Sequence, residues 1–325
     1  MTVEFTREFI VEPGSIWPSA HAASIVELPG RTLLASWFAG SREGAPDTAI
    51  WTAERSGAGW SAPTKVIDTQ GFSDGNSVLW LDGEGDLRIW YVTMEGRGWA
   101  SCPVRERRSP DGGGTWRPDS YIRREPGWMV RNEPVSWNGL LLMPMYDERD
   151  WTSFVLVSQD GGQSWAESER LQAKVGIIQP TLAELRDGRL LMFMRTTAGV
   201  IDRSHSADDS GLRWTTPQPT SLPNPNSAVD LIKLRSGALL LVYNPTKRGR
   251  SPLRVALSDD DGENWDAWRD LETEAGEFSY PTTIQASDSL IHVLYTWRRQ
   301  TIAHACFEES WVRGALEAAH HASDH

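Results

Sequence analysis

Six tryptophans recur along this chain at a near-constant stride, and that recurrence restricts the fold more than any other feature. Three segments share the pattern Ser-x-Asp-x-Gly-x-(Ser/Thr/Asn)-Trp: SPDGGGTW at 109–116, SQDGGQSW at 158–165 and SDDDGENW at 258–265. SADDSGLRW at 206–214 has the same parts with one residue inserted, while TAERSGAGW ending at Trp60 and ACFEESW ending at Trp311 are worn copies. The terminal tryptophans fall at 60, 116, 165, 214, 265 and 311, a stride of about 50 residues that suits one supersecondary unit of a repeat architecture. Within the motif, Asp accepts backbone N–H groups across a tight turn, Gly takes a positive φ and Trp packs beside it. These Asp residues are therefore read as turn-formers and given no chemical role.

Upstream of each staple lies an apolar strand, a Gly-containing turn and a second apolar strand, as in 23–38, 77–92, 181–195 and 229–244. Alternating polarity and hairpin turns make these the first two strands of a four-stranded unit, with the staple at the turn between the third and fourth. Six such units around an axis predict an all-β fold, a six-bladed β-propeller of four-stranded antiparallel blades, which protects its edges by radial closure. Residues 1–315 are expected to form this single domain, with VEFTREFIV near the start supplying the outer strand that closes the ring. Residues 316–325 read as a disordered tail or an expression remnant.

Composition narrows the partners. A net charge of -12 argues against nucleic acid or an anionic membrane, which both need clustered Lys and Arg. No run approaches 18 apolar residues and the first residues lack a secretory layout, so a cytoplasmic location is expected. Cys102 and Cys306 are too few for a disulfide framework and read as buried thiols. No nucleotide motif, zinc spacing or Ser-His-Asp order is present, so no cofactor and no metal are expected.

In a blade the a–b and c–d turns share one face, so the start of strand a and the end of strand b line the channel mouth on the other. Strand a begins near His21, Asn76, Arg131-Asn132-Glu133, Gln179, Asn226 and Tyr280. Strand b ends near Arg42-Glu43, Tyr91, Tyr146-Asp147, Arg195, Tyr243-Asn244 and Arg298-Arg299. Several guanidiniums directed at one channel repel one another unless an anion sits among them, and Arg is built for bidentate carboxylate recognition. An anion-binding mouth follows.

The Asp-box repeats and the phrasing around them resemble the sialidase (neuraminidase) superfamily of six-bladed propellers, over residues 10–313. The resemblance implies a Tyr nucleophile assisted by a Glu, an Asp acid/base from the first blade and three Arg on the substrate carboxylate. A phenol suits an anomeric carbon that carries a carboxylate, which would repel a carboxylate nucleophile. GEFSYPTTI resembles the family's Tyr segment and nominates Tyr280. SREGAPDTAIW resembles the acid/base loop and nominates Asp47. LAELRDGRLLMFMR nominates Arg195 as the second arginine, and NPTKRGRSPLRVALSDDDGENW nominates Arg250 or Arg248 as the third.

Two segments depart from the family pattern. WPSAHAAS (17–24) stands where the family has Phe/Tyr-Arg-Ile-Pro, so the first arginine is missing and His21 lies near its place. Gln179-Pro180 stands where the family has Asn-Glu, so the assisting glutamate is absent, with Glu133 or Glu277 as a substitute. Candidate catalytic residues are thus Tyr280, Asp47, His21 and Glu133. Candidate substrate ligands are Arg42, Arg131, Arg195, Arg250, Arg298, Asn132, Gln179, Tyr146, Tyr243 and Asn226.

The leading expectation is an exo-glycosidase that removes a terminal acidic sugar with retention, so the partner is a carbohydrate bearing a carboxylate. The alternative is a polysaccharide lyase acting beside a uronic acid by β-elimination, with a His and Tyr pair such as His21 with Tyr280 or Tyr146. A third is a non-catalytic glycan-binding propeller in which Trp17, Trp128 and Trp297 stack on sugar faces.

Overall fold

A computed structural model describes residues 5–57 and 59–314, and the segment 316–325 lies outside the described residues. Six antiparallel sheets follow one another along the chain, five built a to d from consecutive strands and the last completed by the first described strand. Blade 1 uses Ser19–Leu28, Thr32–Gly40, Ala49–Ser56 and Thr64–Ile67. Blade 2 uses Ser73–Leu81, Leu87–Met94, Val104–Ser109 and Ser120–Arg123. Blade 4 runs Ile177–Glu184, Leu190–Thr196, Val200–His205 and Gln218–Pro223. Blade 5 runs Asp230–Lys233, Leu239–Tyr243, Leu253–Ser258 and Ala267–Glu272.

Blade 3 breaks its inner strand into Trp128–Val130 and Val135–Trp137, followed by Leu140–Asp147, Thr152–Ser158 and Ala166–Glu167. Pro134 lies in the gap and has no N–H to give to a ladder, so Arg131, Asn132 and Glu133 are released from strand pairing. Blade 6 takes Phe278–Gln285, Ile291–Trp297 and Thr301–Phe307 from the end of the chain. Its outer strand is Phe5–Phe9, paired antiparallel with Thr301–Phe307, which closes the ring with the N-terminal segment as anticipated.

The staples sit at the c–d turns. Asp160 Oδ1 accepts the backbone N–H groups of Gln163 and Ser164, and its carboxylate also takes the Ser158 and Ser164 hydroxyls. Asp111 and Asp260 repeat this arrangement. These bonds hold the Asp160 carboxyl well below the usual range, chiefly through Ser164, which supports a turn role.

Each staple tryptophan reaches back onto the preceding blade. Apolar wedges fill the gaps between neighbours, and Trp116, Trp165, Trp214, Trp265, Trp311 and Trp60 each pack against a different one. Full burial of a large apolar side chain contributes about 1.5–3 kcal/mol; these indoles are half-buried, so each adds a part of that at its joint. Strand b is buried along its whole length in blades 4 and 5, as in Leu239–Tyr243, and at all but one end residue in the other blades. The polar/apolar alternation expected of a half-exposed strand is absent there because blades cover both faces. Cys102 and Cys306 are buried and unpaired. Among the described residues no helix is long and apolar enough to cross a membrane.

Candidate active site

Near the start of five inner strands lies a residue in the left-handed region: Ala22 (φ 53°), Asn76 (44°), Gln179 (55°), Asn226 (58°) and Tyr280 (55°). Where the register is recorded it slips at these points, between His21 and Ser24, Gly75 and Val78, Ile178 and Thr181, and Ser279 and Thr282. A bulge re-aims one side chain out of the pleat, and here the repeated bulge turns side chains into the mouth. Asn tolerates this backbone, whereas Gln and Tyr adopt it at a cost of about 1–3 kcal/mol. Strain of that kind at Tyr280 is held by its surroundings.

The Tyr280 hydroxyl accepts hydrogen bonds from Arg195 Nη1 at 2.8 Å and Gln179 Nε2 at 3.4 Å. Its ring lies 4.2 Å from the His21 ring and within 5.3–5.9 Å of the Arg131, Arg250 and Arg195 guanidiniums. Burial opposes ionisation of this phenol most strongly, but Arg195, Arg250 and the Gln179 bond together outweigh it and pull it below the ordinary tyrosine value. Two donors on one phenol oxygen favour the phenolate, the nucleophilic and basic form.

Arg195 is locked in place. Its Nε donates to Asn226 Oδ1 at 2.8 Å, and Nη1 also donates to Gln179 Oε1 at 2.9 Å. Gln179 Nε2 further reaches the Tyr146 hydroxyl at 3.3 Å, which accepts from Asn76 at 3.0 Å. Burial, then Glu148 and Tyr280, push the Tyr146 phenol far above its ordinary value, so it stays neutral.

A second layer of charge comes from blades 5 and 6. Glu277 Oε1 accepts from Arg250 Nη1 at 2.8 Å and from Arg299 Nε at 2.7 Å, and Arg299 also pairs with Glu43 of blade 1. Burial resists the Glu277 charge, yet Arg299 and Arg250 hold the carboxyl below its usual range. Trp99 Nε1 donates to Glu43 at 3.1 Å, which fixes that wall of the mouth. Three arginines thus converge on the Tyr280 end of the channel, with Arg299 contributed by blade 6, two blades round the ring from Arg195.

His21 is buried against Tyr280. Its Nδ1 lies 2.7 Å from Thr296 Oγ1, and Nε2 has no partner. Burial, reinforced by Arg299, Arg250, Arg131 and Arg195, depresses its pKa well below the usual value, so the imidazole is neutral.

Comparison with known proteins bears on this geometry. The model of the BNR repeat-like domain matches residues 31–293. The chain belongs to the BNR repeat-like family. A curated relative, named a sialidase, from Bacteroides fragilis (strain YCH46) is 24% identical over 269 residues, covering 76% of this chain and 48% of the relative. The chain therefore spans about half the length of that relative. Among solved structures, the Hadza microbial sialidase Hz136 superposes with a TM-score of 0.81 at 17% identity, over 94% of this chain and 69% of its own. The intramolecular trans-sialidase from Ruminococcus gnavus gives 0.76 at 13% identity, over 94% and 97%. A protein of unknown function from Dyadobacter fermentans DSM 18053 gives 0.79 at 16%, over 95% and 98%.

In this BNR repeat-like protein the nominated residues fall into three groups. Tyr280, Arg195, Gln179, Asn226, Arg250, Tyr146 and His21 are joined through the contacts described above. Asp47 lies on the exposed blade 1 loop 41–48, where its carboxylate accepts from the Ser41 N–H at 3.1 Å and hydroxyl at 2.8 Å. Arg42 shares that loop and is exposed, with no polar side-chain partner among the described residues.

Other nominees face elsewhere. Arg131 is buried and donates to the carbonyls of Ala23, Tyr280 and Pro281, and Asn132 donates to those of Gln179, Pro180 and Val229. Both tie inner strands together across the axis, with Arg131 forming the floor beneath Tyr280. Glu133 lies with Asp230 on a chamber of about 250 Å3 lined by inner strands of blades 3 to 6. Burial and the neighbouring Asp230 raise its pKa well above the carboxylate range.

Tyr243 is packed in the wedge between blades 4 and 5, beside Arg254. Arg298 turns to the rim and pairs with exposed Glu274 at 2.8 Å. Trp17 and Trp128 are buried in wedges and Trp297 packs against Phe9 and Phe278, so none is a free platform for a sugar. Sequence reasoning chose Arg298 over Arg299 and passed over Trp99 and Glu148, for which no motif exists. Among the described residues no cluster of three His, Cys, Asp or Glu side chains could hold a metal.

Proposed function

We propose that the protein is an exo-acting, retaining glycoside hydrolase of the sialidase type that removes a terminal carboxylated sugar from a glycan. One observation carries this reading: Tyr280 is held at the axis in a strained backbone conformation, with its oxygen accepting from Arg195 and Gln179. Arg195, Arg250 and Arg299 supply positive charge for the substrate carboxylate, with Arg299 in place of the arginine that His21 replaces. The name of the Bacteroides fragilis relative and the complex of the Ruminococcus gnavus enzyme with oseltamivir carboxylate support an acidic ligand.

In the first step the Tyr280 phenolate oxygen attacks the anomeric carbon. The glycosidic C–O bond breaks, its electron pair goes to the leaving oxygen, and Asp47 delivers the proton. Water then attacks the same carbon, Asp47 takes the water proton, and the Tyr280–carbon bond breaks to regenerate phenolate. Two inversions give net retention. Gln179 cannot accept a proton as a glutamate would, so phenolate formation rests on the arginine field instead.

Neutral His21, with its unpartnered Nε2 beside Tyr280, also suits β-elimination, in which one group takes a proton from the carbon next to a uronic carboxylate. Turnover of acidic glycosides by the wild type and Tyr280→Phe separates the readings. Hydrolysis that is abolished in the variant, with no ultraviolet-absorbing unsaturated product, is the expected result. An unchanged rate, or an unsaturated product, overturns the assignment.

A further inference from the structure

A cavity of about 510 Å3 opens on the flank between blades 3 and 4, away from Tyr280. Its walls are the loop 172–175, Ala198, Asp202 on the third strand of blade 4, and residues 216–219. That volume falls within the range of about 300–1,000 Å3 typical of small-molecule sites.

Asp202 is the unusual member. It is only 5% exposed, yet no hydrogen bond or ion pair engages its carboxyl among the described residues. Burial alone raises its pKa. Its oxygens are not sealed from solvent, so with no protein donor engaging them they are open to a ligand in the cavity.

The lining decides what could answer it. Gln172, Gln218 and Thr216 offer donors and acceptors, while Val175, Pro217 and Pro219 offer apolar surface. Lys174 on the same wall balances the single carboxyl, so the cavity favours neither an anion nor a cation. A neutral ligand with adjacent hydroxyls and apolar C–H faces matches this mixture, because one carboxylate accepts from two neighbouring hydroxyls while the amides serve the rest. We propose that this cavity is a second, non-catalytic site for a neutral hexopyranoside unit, with Asp202 as its anchoring acceptor. The proposal does not depend on the reading of the Tyr280 site.

The test is an amide NMR titration of the full chain with methyl β-galactopyranoside and methyl α-glucopyranoside. Saturable shifts at Asp202, Thr216, Gln218 and Val175 are expected for at least one of the two. Asp202→Leu and, separately, Gln218→Ala should weaken that binding about tenfold or more, the scale of a lost hydrogen bond to a charged or amide group. Gln218 is exposed, so its variant tests the site without disturbing the core. Tyr280→Phe should bind the methyl glycosides as the wild type does, and Asp202→Leu should turn over substrate normally. Absence of saturable shifts with both sugars, undiminished binding in both variants, or stronger binding of ethanolamine or glucuronate would each overturn the proposal.

Discussion

Replacing Arg195 with lysine tests whether the Tyr280 phenol is tuned by a fixed guanidinium. Arg195 divides its donors between Asn226 at 2.8 Å, Gln179 at 2.9 Å and the Tyr280 oxygen at 2.8 Å. Lysine keeps the charge but is a point donor on a flexible stem and cannot hold this fork. A lost hydrogen bond to a charged partner costs about 1.5–3 kcal/mol, or about ten- to a hundredfold in rate if it falls on the phenolate. The sign follows from the pKa of Tyr280, which Arg195 lowers against burial. Weakening that contact raises the phenol pKa, so less phenolate is present at neutral pH and more is recovered as pH rises. We expect kcat/KM of Arg195→Lys on a chromogenic acidic glycoside to be depressed most at low pH, with its ascending limb moved to higher pH. A deficit of the same size at every pH would refute the reasoning, because it would confine Arg195 to substrate binding.

Other perturbations discriminate between neighbours. Arg299→Ala should lower kcat/KM by about tenfold or more through loss of its charge-assisted contact with the substrate carboxylate. Arg298→Ala, whose partner Glu274 is 72% exposed, should change activity and stability by under about 0.5 kcal/mol. Arg131→Met removes donors from three buried carbonyls and should cost about 3 kcal/mol or more in a denaturant melt. His292 is buried beside His304 and its pKa is pushed down to about 4, first by burial and then by His304. The unfolded chain therefore binds more protons than the folded one between about pH 6.5 and 4, and stability falls as pH drops through that window, by about 3 kcal/mol for this residue. Thermal melts should show a shallower pH slope in His292→Gln than in the wild type.

Much of the architecture was legible because it is written in local chemistry repeated six times. An Asp staple needs only Asp, Gly and Trp within about nine residues, and those of blades 2 to 5 each close a c–d turn and seat one wedge, while Trp60 and Trp311 seat theirs without an Asp. Strand starts could be located from the same phase, which placed His21, Gln179, Asn226 and Tyr280 at the mouth together. The outer strand of blade 6 was legible too, since six staples leave one fourth strand to be found at the other end of the chain.

Direction was not legible. Arg298 and Arg299 are adjacent, both lie in the left-handed region at φ 51° and 59°, and in such a turn strand alternation no longer says which side chain points inward. Packing against Glu43 and Glu277 decides it for Arg299. Arg131 and Glu133 sit beside the axis as expected, but the broken strand at Pro134 lets one cap strand carbonyls and sends the other to the far chamber. The ring and its phase follow from short-range residue patterns. The use made of each charge depends on contacts between blades far apart in the chain, which form only when the ring closes.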